Sequence, residues 1–457
     1  MRKSLLLLSI LAISIMMIAS FSLSGCKTTV AGETTAAETT VAGETTQTQE
    51  KITLEVFHPW GAADSHYPYL AEIGKAYTAE HPNIEVKVSG EANIWEIIRP
   101  RFVAGNPPDL VFAEGPYQLL NYIEEGLIFP LDEALQSPPY GETTGKWLET
   151  FLGNGAAAEK GGLNFYGHIY AVPFELYTVL GLYNVGMWKE NGWNEPTTWS
   201  ELLNIFADAK SKGIAPITLA GSDPGYCSFT YVLMVQRLGD AAAIDKVIEN
   251  KTGFLTDPSW LEAAKLVREL LDKDYYLKGF EGLTSPTQQM SFVQSQAAFY
   301  VGGSWAWGTQ AAAKVAPEGF EYGCFRFPAI EGGKGDPKAL PVTNAGLAIT
   351  SGCKNKEAAV DFIKFLTSKP SQEKWVAESE ALATITGVIT EENSTKLMVK
   401  VNTMLGEAKE QFDLEPHWGS AFNDEYNAAL LKLFHKEVTP EQFVQLLEDA
   451  AKDITKM

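Results

Sequence analysis

Trp305 and Trp307 lie in the segment GGSWAW (residues 302–307), which follows the apolar run AAFYV. Glycine adds no buried surface and tryptophan is hard to bury completely, so a hydrophobic core does not require this pattern. Trp60 and Trp418 also stand beside Gly, Pro, His or Ser. Flat aromatic rings stack on the apolar faces of sugars, while carboxylates, amides and hydroxyls hydrogen-bond their rims. The tryptophans therefore indicate carbohydrate binding, although any one of them could be a half-buried rim of the core.

Catalytic motifs are the second chemical signal, and the common ones are absent from the sequence. There is no H-E-x-x-H, C-x-x-C, G-x-S-x-G or G-x-x-x-x-G-K-[ST] motif, which removes specific support for zinc, redox, serine-hydrolase or phosphate-loop chemistry. His58 and His66 match no standard metal spacing, so we predict no metal and no cofactor. A carboxylate pair for glycoside hydrolysis stays open as an alternative, with Glu114 and Glu175 as its candidates.

Charge and composition narrow the partners. The 457 residues are 45% hydrophobic and carry a net charge of −21, which fits a globular chain of one large or two ordinary domains. Nucleic-acid phosphates and anionic membrane surfaces both attract clustered Lys and Arg and repel an acidic protein. Because this chain carries a large negative charge, we expect no nucleic-acid partner and no direct binding to lipid headgroups.

The N-terminus reads as an export signal. Arg2 and Lys3 precede an apolar run that ends in Leu23-Ser24-Gly25-Cys26, which resembles the bacterial lipobox. We predict a signal peptide over residues 1–25 and a lipid on Cys26, and the alternative is an uncleaved membrane anchor. The motif TTVAGETT occurs at 28–35 and again at 39–46. This Thr, Ala and Glu-rich tract predicts a flexible tether over residues 26–50, holding the body outside the membrane but close to it.

Three cysteines remain in the body of the chain. Cys227, Cys324 and Cys353 are odd in number. One disulfide and one free thiol would suit an oxidising compartment, but isolated buried cysteines are the simpler interpretation.

Strand and helix patterns alternate at the start of the body. Residues 52–57, 84–88 and 109–112 read as strands, and residues 69–80 and 95–103 read as helices between them. This order predicts a parallel sheet, and ligands bind beyond the carboxyl ends of such strands. Further along, Thr198 with Glu201 and Thr439 with Gln442 form capping boxes that each predict the start of a helix.

Six segments occur in an order that resembles a known family. They are YTAEHPNIEVKV (77–88), PPDLVFAEGP (107–116), EEGLIFPLD (124–132), the passage 170–203 with its YN and TW pairs, GGSWAW, and NAGLAITSGCKNKEAAVDFIKFL (344–366). Together they resemble the extracellular solute-binding proteins that deliver sugars to ABC importers, the family that contains the maltose-binding proteins.

The resemblance implies an α/β, two-lobe periplasmic-binding-protein-like fold (type II). Its lobes are interwoven, joined by a crossover hinge, and close on a ligand in the cleft between them. We place the first lobe at residues 51–168 plus 328–375 and the second at residues 169–327 plus 376–457.

The resemblance also implies ligand contacts. In maltose-binding relatives the first tryptophan of the glycine-tryptophan segment stacks on a sugar, so Trp305 is the foremost candidate, and Gly302 and Gly303 would let backbone and ligand approach closely. Tyr177 stands where those relatives carry a glutamate, which suggests a different sugar. The complete set of predicted ligand-binding residues is Trp60, Asp64, Glu114, Glu175, Tyr177, Tyr226, Trp305, Trp307, Trp418 and Asn423.

The expected function is that of an extracytoplasmic, lipid-anchored binding protein rather than an enzyme. It would capture a mono- or oligosaccharide, deliver it to the transmembrane permease subunits of an ABC importer, and act as a monomer. Two alternatives stay open: a secreted glycoside-active enzyme, and the same fold with a polyol or peptide ligand.

Overall fold

A computed structural model describes residues 50–61, 66–91, 93–153, 155, 164–239, 244, 247, 252–308, 315–408, 411–412 and 420–454. These residues fall within one unit, Glu50–Met457. The predicted signal peptide, Cys26 and nearly all of the predicted tether lie outside the described residues.

The described strands follow one another in chain order. They are β1 Ile52–His58, β2 Ile84–Gly90, β3 Leu110–Ala113, β4 Ile128–Phe129, β5 Asn164–Phe165, β6 His168–Ile169, β7 Val172–Tyr177, β8 Val179–Asn184, β9 Ala215–Ile217, β10 Ala297–Gly303, β11 Tyr322–Phe325, β12 Leu340–Pro341, β13 Thr343–Thr350, β14 Leu382–Ala383 and β15 Gln411–Phe412.

Helices cover these strands. The described α-helices are α1 His66–Glu80, α2 Ile94–Val103, α3 Leu120–Glu124, α4 Asp132–Leu135, α5 Val185–Asn191, α6 Trp199–Ser211, α7 Pro224–Gly239, α8 Pro258–Asp272, α9 Ser285–Val293, α10 Lys356–Leu366, α11 Lys369–Ser379, α12 Lys396–Glu407, α13 Ser420–Phe434 and α14 Pro440–Ile454. Short 3₁₀ turns lie at Pro116–Leu119, Trp147–Thr150 and Phe280–Gly282.

The first five predicted elements are present in the predicted order. β1 pairs in parallel with β2 and with β3, as the alternating strand and helix pattern indicates. α1 begins three residues earlier than predicted, at His66. The sheet as a whole is mixed rather than parallel, because β13 runs antiparallel to both β3 and β7.

Both predicted capping boxes are present. Thr198 accepts from the backbone N–H of Glu201, whose carboxylate accepts from the backbone of Thr198. At the start of α14, Thr439 and Gln442 make the same reciprocal pair of hydrogen bonds. Each box satisfies backbone donors that the first helical turn leaves unpaired, which is why the helices begin at these residues.

Two main sheets organise the described chain, beside two small sheets of two strands each, β12-β15 and β5-β6. The larger sheet has the order β14-β7-β13-β3-β1-β2, with β4 added to β13, and the smaller has the order β11-β8-β10-β9. The chain first passes between them at Thr178, because β7 belongs to the larger sheet and β8 to the smaller. It returns between β11 and β13. β7 and β14 lie in the larger sheet although the predicted boundaries assign them to the second lobe, and the lobe boundaries stay a prediction.

Three hydrophobic cores pack against these sheets. The first covers one face of the larger sheet, with Leu54, and continues onto one face of the smaller sheet at Leu180. The second includes Phe299 on the other face of the smaller sheet and extends into α13 and α14, and the third packs α2 and α3 on the other face of the larger sheet. Among the half-buried hydrophobic residues described, Trp305 alone packs against both the first and the second core. Because Trp305 follows a strand of the smaller sheet and its ring meets Tyr177 of the larger sheet, it lies where the two sheets meet.

Cys227, Cys324 and Cys353 are buried free thiols, which confirms the simpler interpretation of the sequence. Burial raises the pKa of Cys324 to about 11 and that of Cys353 to about 12, so both stay protonated thiols at neutral pH. Among the described residues, no helix combines the length and the apolar composition needed to cross a bilayer.

Candidate functional site

The half-buried indole of Trp305 is the centre of the candidate site. Three aromatic rings surround it at steep angles: Tyr177 at 5.2 Å between centroids and 85°, Tyr226 at 6.3 Å and 88°, and Phe229 at 5.9 Å and 62°. Edge-to-face contacts of this kind are favourable arrangements of aromatic pairs. They hold the indole in place without stacking another protein ring parallel to it.

The pairing of β8 with β10 brings these rings together. Gly303 at the end of β10 pairs with Val179 at the start of β8, so Trp305 lies next to Tyr177, the last residue of β7. Ser304 and Thr178 extend the contact: the backbone N–H of Ser304 donates to the Thr178 carbonyl at 2.9 Å, and the backbone N–H of Thr178 donates to Ser304 Oγ at 3.3 Å. The indole is thus fixed at the passage between the two sheets.

Gly302 and Gly303 make room for rings of the protein itself. A Cβ atom on Gly303 would lie 1.9 Å from Cζ3 of Trp305, and one on Gly302 would lie 2.1 Å from Cε2 of Tyr300. Such distances are far inside van der Waals contact. The absent side chain at 303 lets the Trp305 indole lie over its own strand, and the expected approach of a ligand to this backbone stays a prediction.

Tyr226 fixes the polar edge of Trp305. The indole Nε1–H donates to the Tyr226 hydroxyl at 3.0 Å, and that hydroxyl also accepts from Ser285 Oγ at 2.6 Å. Burial raises the pKa of Tyr226, while the hydrogen bonds from Ser285 and Trp305 act in the opposite direction. Asp223, just before α7, also has a raised pKa because it is buried. Tyr226 is therefore a neutral phenol whose oxygen anchors Trp305.

A second group of predicted residues lies on the larger sheet. Trp60 follows β1 and is only 7% exposed. The imidazole of His66 stacks on it at 3.9 Å and 11°, and His66 Nε2 lies 2.5 Å from Glu175 Oε2. The Tyr177 hydroxyl donates to the same carboxylate oxygen at 3.3 Å. Trp60, Glu175 and Tyr177 are thus connected, and Tyr177 joins them to Trp305.

The remaining predicted residues lie in different surroundings. Trp307 is buried in the core of the larger sheet, and its Nε1–H donates to the Glu380 carbonyl at 3.1 Å. Glu114 is exposed in the turn after β3, and Asn423 is half-exposed in the first turn of α13. Asp64 and Trp418 lie outside the described residues. The ligand contacts of all the predicted residues stay a prediction.

His66, Phe229 and Ser285 belong to this site although the sequence did not single them out as ligand-site residues. His66 was considered only as a metal ligand together with His58. Its partner Glu175 is 109 positions away, so no local pattern could have found the pair. Among the described residues, no group of three or more His, Cys, Asp or Glu side chains could hold a metal ion.

The fold and the ring cluster together define a class: a two-lobed α/β protein with an aromatic site where its halves meet. Residues 62–373 match the family described as bacterial extracellular solute-binding protein. Because the match spans most of the chain, this protein belongs to that family, as the order of the sequence motifs indicates.

Individual relatives agree with the family assignment. The multiple sugar-binding protein of Streptococcus mutans serotype c is 24% identical over 380 residues, covering 81% of this chain and 84% of that protein. A solved structure from work on xylan utilization by the thermophilic bacterium Caldanaerobius polysaccharolyticus has a TM-score of 0.75 and 23% identity, covering 87% of this chain and 99% of that one. A chitin oligosaccharide binding protein has a TM-score of 0.72 and 21% identity, with 88% and 98% covered. The predicted two-lobe fold is confirmed, and the relatives named for a function are binding proteins rather than enzymes.

Proposed function

We propose that this protein binds a carbohydrate between its two lobes and delivers it to the membrane subunits of an ABC importer. The observation that carries the proposal is the position of Trp305. It is a half-buried indole, held by three rings at steep angles, that packs against two hydrophobic cores where the two sheets meet. A ligand on this ring contacts both halves of the body at once.

The ring set suits a sugar for a physical reason. The rings of Tyr177, Tyr226 and Phe229 meet the indole at steep angles and none of the three stacks parallel to it, so a parallel stacking partner has to come from outside the described ring cluster. The C–H face of a pyranose is such a partner, since it is flat, apolar and of similar size. The neighbouring hydroxyls of Tyr177, Tyr226 and Ser285 can hydrogen-bond the sugar rim.

Relatives support the same ligand class. The Streptococcus mutans relative is a multiple sugar-binding protein, and a structural neighbour binds chitin oligosaccharides. We extend carbohydrate binding to this chain and propose Trp305, Tyr177 and Tyr226 as its first contacts, with Trp60, Asp64, Glu114, Glu175, Trp307, Trp418 and Asn423 as further candidates.

Binding without turnover is part of the proposal. A glycosidase needs two carboxyl groups that both reach the scissile bond. Glu175 is buried and bonded by His66 and Tyr177, whereas Glu114 is exposed in a turn. The relatives named for a function are binding proteins rather than enzymes, so we propose that the sugar leaves unchanged.

Location and partners complete the proposed role. Membership of an extracellular family places the body outside the cytoplasm, and we propose that cleavage before Cys26 and a lipid on its thiol keep it beside its transporter. We further propose a monomer whose interwoven lobes, near residues 51–168 plus 328–375 and 169–327 plus 376–457, close on the sugar.

A ligand screen tests the function directly. Residues 51–457 are heated with mono-, di- and oligosaccharides, including xylose and chitin oligomers, and the melting temperature is recorded. A ligand that binds only the folded state raises this temperature in proportion to its occupancy. We expect a clear rise with one sugar class and recovery of that sugar intact by chromatography. No rise with any sugar, or recovery of cleaved sugar, would contradict the proposal.

A further inference from the structure

His66 is enclosed by aromatic rings on the larger sheet. Its imidazole stacks on Trp60 at 3.9 Å and 11°, and the ring of Trp375 lies 4.6 Å away at 53°. Its side chain is 12% exposed. The ring therefore has a single packed orientation, in which Nε2 points to the side chain of Glu175.

Glu175 needs such a partner. Its side chain is 3% exposed on β7, and a buried carboxylate without a hydrogen-bond donor or counter-charge is strongly unfavourable. His66 Nε2 lies 2.5 Å from Glu175 Oε2, and in the Nε2–H tautomer the imidazole donates to this carboxylate oxygen. Since this short contact comes from a ring that is itself locked, the carboxylate cannot rotate without losing it.

Tyr177 connects the carboxylate to the ligand ring. Residues 175 and 177 lie on the same face of β7 because side chains alternate along a strand. The Tyr177 hydroxyl donates to Glu175 Oε2 at 3.3 Å, and its ring meets Trp305 at 5.2 Å and 85°. A continuous series of contacts thus runs from the first residue of α1 to the residue that we propose to stack on the sugar.

We propose that His66 is a positioning residue of the ligand site, acting through Glu175 and Tyr177 on the orientation of Trp305. This inference rests on the proposed function for its effect on affinity, but the orientation of Trp305 can be measured without any ligand. His66 itself does not contact the sugar.

The first experiment measures the sugar dissociation constant of variants by titration calorimetry. His66→Ala removes the donor, so we expect the dissociation constant to rise by about tenfold, in keeping with the loss of a hydrogen bond to a charged group. His66→Gln places an amide N–H near the position of Nε2 and should restore affinity to within about threefold of the wild type. His66→Asn carries the same amide one methylene shorter and should not restore it.

A double-variant cycle tests whether His66 acts through Tyr177 or affects sugar binding independently of it. Tyr177→Phe removes the hydroxyl through which His66 acts. If the route is correct, His66→Ala adds little to Tyr177→Phe, because both changes break the same series of contacts. Fully additive losses would mean that His66 acts independently of Tyr177, and the proposal would be wrong.

His81, at the other end of α1, supplies a control. It follows the last residue of the helix, stacks on Tyr77 at 4.3 Å and 28°, and bonds to the Tyr140 hydroxyl at 3.1 Å. Like His66 it has a stacked ring and a hydrogen bond, but its side chain is more exposed, 31% against 12%, and it lies about 20 Å away along the helix axis. His81→Ala should leave the dissociation constant unchanged.

A ligand-free readout keeps the two proposals distinguishable. In a ¹⁵N-labelled protein, the indole N–H signal of Trp305 is assigned by its loss in Trp305→Phe. We expect this signal to shift in His66→Ala, to return in His66→Gln and to stay in place in His81→Ala. An unmoved signal in folded His66→Ala overturns the positioning role even if the sugar binds. A shifted signal in a protein that binds no sugar supports the positioning role while the proposed function fails.

Discussion

Trp60 and Trp305 each follow the end of a strand, and the sequence indicated both as platforms for a sugar. The structure gives them different surroundings. Trp305 is half-buried, packs against two of the three cores and meets its neighbouring rings at steep angles. Trp60 is 7% exposed, and His66 is stacked parallel to its face. We therefore expect Trp305 to offer its ring face to a ligand more readily than Trp60, on which His66 is already stacked, and the ligand contact of each stays a prediction.

The two residues should also differ in what they support. Trp60 lies inside a packed cluster with Phe112, His66 and, through His66, Trp375. Its truncation leaves a cavity in the larger-sheet core. Trp305 is half-buried, so we expect its truncation mainly to remove a surface that a ligand would use.

The largest expected effect is on stability and comes from Trp60→Ala. Removing a buried indole should lower the free energy of unfolding by about 3–5 kcal/mol, measured by urea denaturation. Trp193→Ala is the control, since Trp193 is a half-buried indole with one hydrogen bond, to Asp208 at 2.7 Å, and should cost less. If Trp60→Ala keeps normal stability but no longer binds sugar, Trp60 is a ligand contact rather than a core residue, and the proposed difference between Trp60 and Trp305 is wrong.

The next effect is on affinity and comes from Trp305→Ala. Loss of the stacking surface should weaken sugar binding by about 2–3 kcal/mol, as truncation of a central aromatic contact does in other sites. Calorimetry gives the affinity and a urea curve gives the stability, which should change less than in Trp60→Ala. Trp193→Ala should bind normally. If Trp305→Ala unfolds the protein instead, Trp305 belongs to the core.

Gly303→Ala sharpens the comparison by moving Trp305 without removing it. The new methyl group would overlap the indole, which lies 1.9 Å from the position of an added Cβ. We expect sugar affinity to fall by about 1–2 kcal/mol, since overpacking forces the ring out of place. Gly406→Ala is the control because an added Cβ there meets nothing within 4 Å. Unchanged affinity in Gly303→Ala would show that the exact placement of Trp305 is unimportant.

The smallest expected effect comes from Tyr226→Phe, which keeps the ring and removes the hydroxyl that accepts from Trp305 Nε1. The loss of one hydrogen bond should reduce affinity by about 1 kcal/mol. Tyr183→Phe is the matched control. Tyr183 lies on β8 of the smaller sheet, and its hydroxyl also makes a hydrogen bond, to Glu195 at 2.7 Å, that does not involve Trp305. Equal losses in the two variants would mean that the Trp305 contact has no special role.

The sequence predicted a large part of the fold. The strand and helix order of residues 52–112 and both capping boxes depend on residues within a few positions of one another, so periodicity and cap chemistry were enough to find them. The mixed character of the larger sheet was missed, since β13 reaches it from a distant part of the chain and pairs antiparallel with β3. Local sequence patterns do not predict the direction in which two strands that are distant in the sequence pair.

The candidate site divides in the same way. The glycines and tryptophans of residues 302–307 drew attention to Trp305, and the resemblance to the maltose-binding relatives implied Trp305, Tyr177 and Tyr226 as ligand contacts, which stay predictions. The partnership of His66 with Glu175 and the burial of Trp60 were decided only in three dimensions. The physical reason is that packing, and not local spacing, determines which ring fills the face of another and which donor reaches a buried carboxylate.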